Sequence, residues 1–211
     1  MLAAGVDMGA TKTGLCLFEL GPKYDELLEA VTIEVTPLPT MKAKKRKGIS
    51  KKKRKSIEVA STMFSDFTRG KDMAAGISDW LLRHKPEAMF VEMPNGGAQG
   101  GRANRCMGGA TFLLGALLVH MPMEYELFEP GDVERALNIS VTSEQVKGMT
   151  KFEKTTWKKR RIQDVVSLEW PLFKEWPTDS KQAEDAYDAA AAFMCGRVVN
   201  RLYAKLKEQL K

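Results

Sequence analysis

Cysteine and histidine are scarce in this chain. Three cysteines occur in 211 residues, Cys16, Cys106 and Cys195, far apart and never in a CxxC pair. That spacing suits a reducing compartment and speaks against a disulfide scaffold or a cysteine-held zinc. The two histidines, His84 and His120, sit in no metal or catalytic motif. Catalysis built on histidine is therefore not what the sequence offers. Also missing is any apolar run near the ~20 residues that cross a bilayer, so no membrane partner is expected. The first residues open directly into a strand-like pattern, and no signal peptide is expected.

Charge is plentiful and unevenly placed. The chain carries 33 Lys/Arg and 27 Asp/Glu, a net of +6. Ten of the basic residues fall within 42–55, a stretch with no acid. Without it, 23 basic residues face 27 acidic ones, a net of −4. A second stretch, 147–161, holds seven basic residues and one acid, and removing it as well leaves a net of −10. The protein is thus an acidic body with two basic segments. Such segments suit a polyanion, because each neutralised phosphate releases condensed counterions. A solvated charged loop is the plainer alternative. The 42–55 run also matches a nuclear-localisation signal, and the sequence does not separate the two roles.

Hydrophobic patterning predicts strands at Leu2–Asp7, 14–20, 30–35, Ala88–Glu92 and Glu124–Phe128. It predicts helices over about 57–83, 103–120, 132–137, 152–168 and 180–210. In the first of these, Phe64, Phe67, Met73, Ile77, Trp80 and Leu81 are the expected core positions, and Gly70 and Gly76 threaten to split it. The helix at 103–120 is apolar nearly all round, so burial on more than one side is expected. The three opening strands lack room for crossover helices and should form an antiparallel meander. The later two are separated by helices and can add in parallel. The expected fold is α/β: a mixed five-stranded sheet with helices on both faces. It forms one domain over residues 1–211, with a basic insertion at about 40–56.

Four acids stand out. Asp7 ends the first strand and Glu92 the fourth, and open α/β sheets place ligands at strand carboxyl ends. Asp185 and Asp188, three apart, share one face of the last helix. Converging carboxylates repel unless cations neutralise them, and an all-oxygen set suits Mg²⁺ or Mn²⁺. Each acid also has an ordinary explanation. Asp7 can cap a turn, Glu92 can pair with Arg102 or Arg105, and Asp185 with Asp188 can form a solvated helix face. Expected DNA-backbone contacts are Arg102, Arg105, Lys147, Lys151, Lys154, Lys158 and Lys159. The glycine-rich loop at 95–101 would let backbone approach a phosphate closely.

Gly5-Val-Asp-Met-Gly9 with Gly14, then Phe90-Val-Glu92, then Glu184-Asp-Ala-Tyr-Asp-Ala189, resemble in order three motifs of the RuvC-type Holliday junction resolvases. These belong to the RNase H-like (retroviral-integrase-like) superfamily. Pro130–Leu137 and the basic stretch 158–166 resemble the lysine-bearing segment of that family. The resemblance implies an RNase H-like fold and a magnesium-dependent endonuclease. It would nick four-way DNA junctions and leave 5′-phosphate and 3′-hydroxyl ends. Asp7, Glu92, Asp185 and Asp188 would be the catalytic residues and the ligands of two Mg²⁺ ions, with Mn²⁺ as a substitute. Glu184, four residues before Asp188, is an alternative to Asp185. The partner would be branched DNA, bound by a homodimer paired through the helix at about 103–120. Two departures from the family pattern are the basic insertion and a longer segment from Ser140 to Pro177.

The main rival is a sugar kinase of the actin-like fold, whose first phosphate motif Asp7-Met-Gly-Ala-Thr-Lys-Thr-Gly14 resembles. It would need a second domain and a later glycine-rich nucleotide motif, and neither is in the sequence. A nuclease of the same fold acting on RNA–DNA hybrids or other branched DNA is a further alternative, as is a non-catalytic DNA-binding protein. The expected location is the cytoplasm of a bacterial or phage-infected cell, with a nuclear or organellar site compatible with the lysine run.

Overall fold

The computed structural model describes residues 1–9, 11–36, 50–94, 101–121, 123–139, 147–171, 173 and 181–210, without the side chains of 51, 52, 54, 56–61, 101–107, 181 and 182. The glycine-rich loop and residues 42–49 of the basic run lie outside the described residues. Five strands, β1 (Leu2–Asp7), β2 (Lys12–Leu20), β3 (Asp25–Glu34), β4 (Ala88–Glu92) and β5 (Glu124–Phe128), form one sheet in the order β3-β2-β1-β4-β5. The β1/β2 and β2/β3 pairs are antiparallel, and β1/β4 and β4/β5 are parallel. This is the mixed sheet that the spacing of the elements implied. β3 starts five residues earlier than its apolar alternation suggested, because an edge strand needs a partner on one side only and tolerates Asp25 and Glu26.

Strand alternation sorts the core into two faces. Ala3, Cys16, Phe18, Ala88 and Phe90 pack under α5 (Lys181–Val199). Ala4, Val6, Leu15, Leu17, Met89 and Val91 pack under α1 (Lys51–His84) and α2 (Gly101–His120). Contact with α5 is unusually close. A Cβ on Gly5 would lie 2.2 Å from the Ala189 carbonyl oxygen, and one on Gly14 would lie 1.8 Å from that of Asp185. The alanines at 186, 189 and 190 are fully buried there.

Helix α1 begins inside the lysine run, not after it. Ser50 caps it by accepting from the Lys53 amide at 3.2 Å, and it runs unbroken to a left-handed Lys85. Gly70 has open space around it. Gly76 lies against Ile33, where a Cβ would come within 3.0 Å of that side chain, so it permits approach to β3 and breaks nothing. Met73, Ile77, Trp80 and Leu81 are buried as expected, but Phe64 and Phe67 are 65% and 71% exposed. The reason is length. Thirty-four residues make a helix about 50 Å long, whereas the sheet it crosses is about 20 Å deep.

α2 also departs from expectation. Ala110 and Leu114 are buried, but Phe112 and Val119 are 84% and 79% exposed, so among its described side chains, 108–120, the helix is covered on one side only. Three more helices are α3 (Pro130–Ala136), α4 (Lys151–Glu169) and α6 (Leu202–Glu208). The last two helices were expected as one. Asn200 is left-handed (φ 60°), and the chain turns there. The turn lets Leu202 and Leu206 reach the core and brings Tyr203 and Lys207 to Asp25. The Asp25 carboxylate is 1% exposed and accepts from the Tyr203 hydroxyl at 2.5 Å and Lys207 Nζ at 2.6 Å, with Arg197 Nε at 3.6 Å. Among the described residues no helix is long and apolar enough to cross a membrane.

Gly5→Ala should cost about 3 kcal/mol of unfolding free energy in urea, because the Ala189 carbonyl cannot yield without shifting the helix. Gly70→Ala, at an open helical position, should add roughly 0.5–1 kcal/mol.

Candidate metal and active site

Register brings the first two acids together. Asp7 and Glu92 are paired residues on the neighbouring parallel strands β1 and β4. Both follow the parity of Ala3, Gly5, Ala88 and Phe90, so both side chains leave the sheet on the α5 face. On β2, Gly14 pairs with Asp7 and lies directly beneath the Asp185 backbone. Asp188 follows three residues on. The helix therefore lowers two carboxylates onto the edge from which two others rise.

The electrostatics record that crowding. All four residues stay partly open to solvent, yet burial is the largest influence on each carboxyl. Burial, then Asp188, Glu92 and Asp185, raise Asp7 well above the usual carboxylate range. Burial with Asp188 and Glu134 pushes Glu92 up to about 8. Asp188 is raised to about 7, by burial first and by Asp185 and Glu184 as well, against the opposing pull of Lys159. Asp185 is raised by burial, while Lys12 and Lys159 hold it down. The Asp185 Oδ2 atom is buried and has no hydrogen-bond partner.

The chemistry of the donor set indicates which ion would fit it. The ligands are oxygens only, with a buried orphan oxygen among them, and they match a hard divalent ion. Among the described residues no three Asp, Glu, His or Cys form a ready-made ligand cluster. Joint ligation would therefore require the carboxylates to rotate toward one another.

The basic candidates divide into three groups. Lys158 and Lys159, on α4, reach the site. Lys158 Nζ bonds Glu134 of α3 at 2.5 Å, and Lys159 pairs with Glu184 of α5. Burial works against the Lys159 charge, but its bond to Glu184 and the field of Asp188 and Asp185 hold its pKa above the ordinary value. Lys147 and Lys151 are exposed and Lys154 is half-buried, ahead of and along the amino-terminal half of α4. Arg102 and Arg105 fall in the first turns of α2, and their side chains lie outside the described residues. Two contributors had not been singled out from the sequence. Glu134 bears on Glu92, and Lys12, paired with Glu34 at 3.2 Å, bears on Asp185. The available signal for Glu134 was topological. β5 ends level with Glu92, so whatever follows it starts at the same edge.

The chain is similar in structure to "T. thermophilus RuvC in complex with Holliday junction substrate". TM-score is 0.62 and identity 18%, over 96% of this chain and 96% of that one. A further Thermus thermophilus RuvC structure matches with TM-score 0.59 and 20% identity, over 96% and 97% of the two chains. No family model and no curated protein matches the sequence. The fold is thus RNase H-like. Within that class it is the RuvC fold, across nearly the whole length of both chains.

The raised acids make stability depend on pH. Without cations, the folded chain holds protons that the unfolded chain releases above about pH 4. That contribution is complete below pH 4 and is lost as pH rises through about 7 and 8, where Asp188 and Glu92 titrate. In thermal melts in EDTA, the protein should melt roughly 5 °C lower at pH 8.5 than at pH 6. Asp188→Asn should remove part of that gap. A flat profile in the parent chain would contradict the crowding.

Proposed function

We propose that the protein is a metal-dependent endodeoxyribonuclease that nicks four-way DNA junctions. The reading rests on one observation: four carboxylates share the carboxyl edge of a RuvC-type sheet, one of them with a buried, unpartnered oxygen. Asp7, Glu92, Asp185 and Asp188 would hold two Mg²⁺ ions, with Mn²⁺ as a substitute. Ions bound there would lower the pKa of the attacking water and offset the charge of the departing 3′ oxygen. The chain's own part is to orient and balance. Asp7 and Glu92 are held by the strand register, Asp185 and Asp188 by the seat of α5 on Gly5 and Gly14. Lys159 keeps the edge from being wholly anionic. The products would carry 5′-phosphate and 3′-hydroxyl ends.

DNA would be gripped through its phosphates by Arg102, Arg105, Lys147, Lys151, Lys154, Lys158 and Lys159. Lys158 and Lys159 are already paired with carboxylates, so a phosphate would have to replace Glu134 or Glu184. The partner copy would pair along α2. Gly108, Phe112, Gly115, Ala116 and Val119 recur at helical spacing and are all exposed. Small residues there would allow a second helix to come close, and a two-fold dimer would present two sites to a two-fold junction.

Asp7→Asn should fold and bind a four-way junction as the parent does, and lose at least a hundredfold in nicking rate in Mg²⁺. Parent-level nicking by that variant would remove Asp7 from the mechanism. Four-way junctions, RNA–DNA hybrids and linear duplex, compared side by side, should rank with the junction first. A hybrid ranked first would make this a different nuclease on the same fold. Light scattering should give a dimer for the parent and a monomer for Phe112→Asp.

A further inference from the structure

Among the described residues, no apolar side chain of α1 upstream of Met73 is buried, and the position of this end relative to the site follows from the sheet. β3 runs parallel to β1, so its last residues reach the edge that carries Asp7. Ile33 of β3 pairs with Thr13, one residue from the Gly14 that faces Asp7, and Ile33 is also what Gly76 of α1 rests against. Gly76 is therefore level with the acidic edge. From there the helix descends over the sheet to Lys85, close to the start of β4. That end is anchored through Glu29, which accepts from Trp80 Nε1 at 3.0 Å and faces His84 Nε2 at 3.3 Å. In the other direction, toward its amino end, α1 runs beyond the edge. Lys53 lies 23 residues before Gly76, about 35 Å along the helix.

That projecting half is strongly basic at its tip. Residues 51–55 are Lys-Lys-Lys-Arg-Lys, and the first acid of the helix is Glu58. Lys53 and Lys55 are exposed. Upstream of Met73 the apolar Met63, Phe64 and Phe67 are exposed too, whereas Ser65 and Arg69 are buried at 2% and 8% exposure, so one side of the helix stays covered as far as Ser65.

We propose that residues 51–62 form an arm that carries this basic tip, on the sheet face opposite α5, past the level of the acidic edge to the backbone of a DNA duplex, about one helical turn beyond that edge. The distance of about 35 Å matches the 34–36 Å turn of B-form DNA. Charge selects the occupant: residues 51–55 are all basic and duplex DNA is uniformly anionic, whereas the chain outside its two basic segments carries a net charge of −10. The arm would work as a ruler. It requires a junction arm long enough to reach the tip, and it adds affinity without touching the chemistry. This rests on the nuclease reading above.

The test is binding of the full chain to junctions with arms of about 8 and about 20 base pairs, in EDTA and across a salt series, so that no cleavage is needed. Nicking in Mg²⁺ is measured separately. The parent should bind the long-armed junction at least tenfold more tightly. K51Q/K52Q/K53Q/R54Q/K55Q keeps good helix formers. It should lose that preference, and its slope of log affinity against log salt should flatten by about two to four. K53Q/K55Q, changed only at exposed positions, should lose part of it. Short-arm binding and nicking should not change. Equal arm preference and equal salt slope in parent and variants would overturn the arm while leaving the nuclease intact. Loss of nicking on every substrate with the arm preference preserved would sink the nuclease reading and not the arm. If the fivefold variant instead turns a parent dimer into a monomer without DNA, the tip serves a second copy, and the proposal fails.

Discussion

The seat of α5 on the backbone of β1 and β2 is the contact on which the rest of the molecule depends. It exists because Gly5 and Gly14 have no side chain where the carbonyls of Ala189 and Asp185 pass. The alanines facing the sheet keep the helix close along its length. Closeness is what turns two helix carboxylates and two strand carboxylates into one cluster. A helix standing a side chain further out would carry Asp185 and Asp188 away from Asp7 and Glu92. The packing of this interface has to offset the repulsion that it creates.

That repulsion explains the surroundings of the site. Lys159 opposes the acids directly, and Lys12 acts on Asp185. Two further acids, Glu134 and Glu184, hold the α4 lysines in place from α3 and α5. At the edge the acids outnumber the cations that face them, and burial makes the imbalance costly. Across the molecule, another buried carboxylate, that of Asp25, is handled differently. Tyr203, Lys207 and Arg197 all turn toward it, and it ties the carboxyl-terminal helix to the sheet. One carboxylate is satisfied within the chain, whereas the cluster at the edge is left wanting charge from outside.

The opposite face of the sheet is governed by length. Only the part of α1 from Met73 onward can lie over strands of five to ten residues, and α2 is covered along one side only. Further out, Phe64, Phe67, Phe112 and Val119 face solvent, although Ser65 and Arg69 between them stay buried. The same geometry carries the lysine-rich start of α1 beyond the level of the acidic edge.

Much of this was legible in the residues. β1, β4 and β5 match the sequence reading to the residue; β1 and β4 are buried on both faces, which leaves little freedom of pattern, whereas β5 is an edge strand with only Phe128 buried. The order of strands and helices implied the mixed sheet, and the four acids could be picked out from strand ends and helix spacing. The tertiary structure decided what depends on a neighbour. Whether Phe64 is core or surface depends on where the sheet stops beneath it. Whether the last helix bends depends on what Leu202, Tyr203 and Lys207 gain by turning at Asn200. Glu134 and Lys12 bear on the site through space and not through spacing along the chain. Periodicity reports which side of an element is apolar. How far its neighbour extends, and which charges meet across the gap, are settled only when the elements pack.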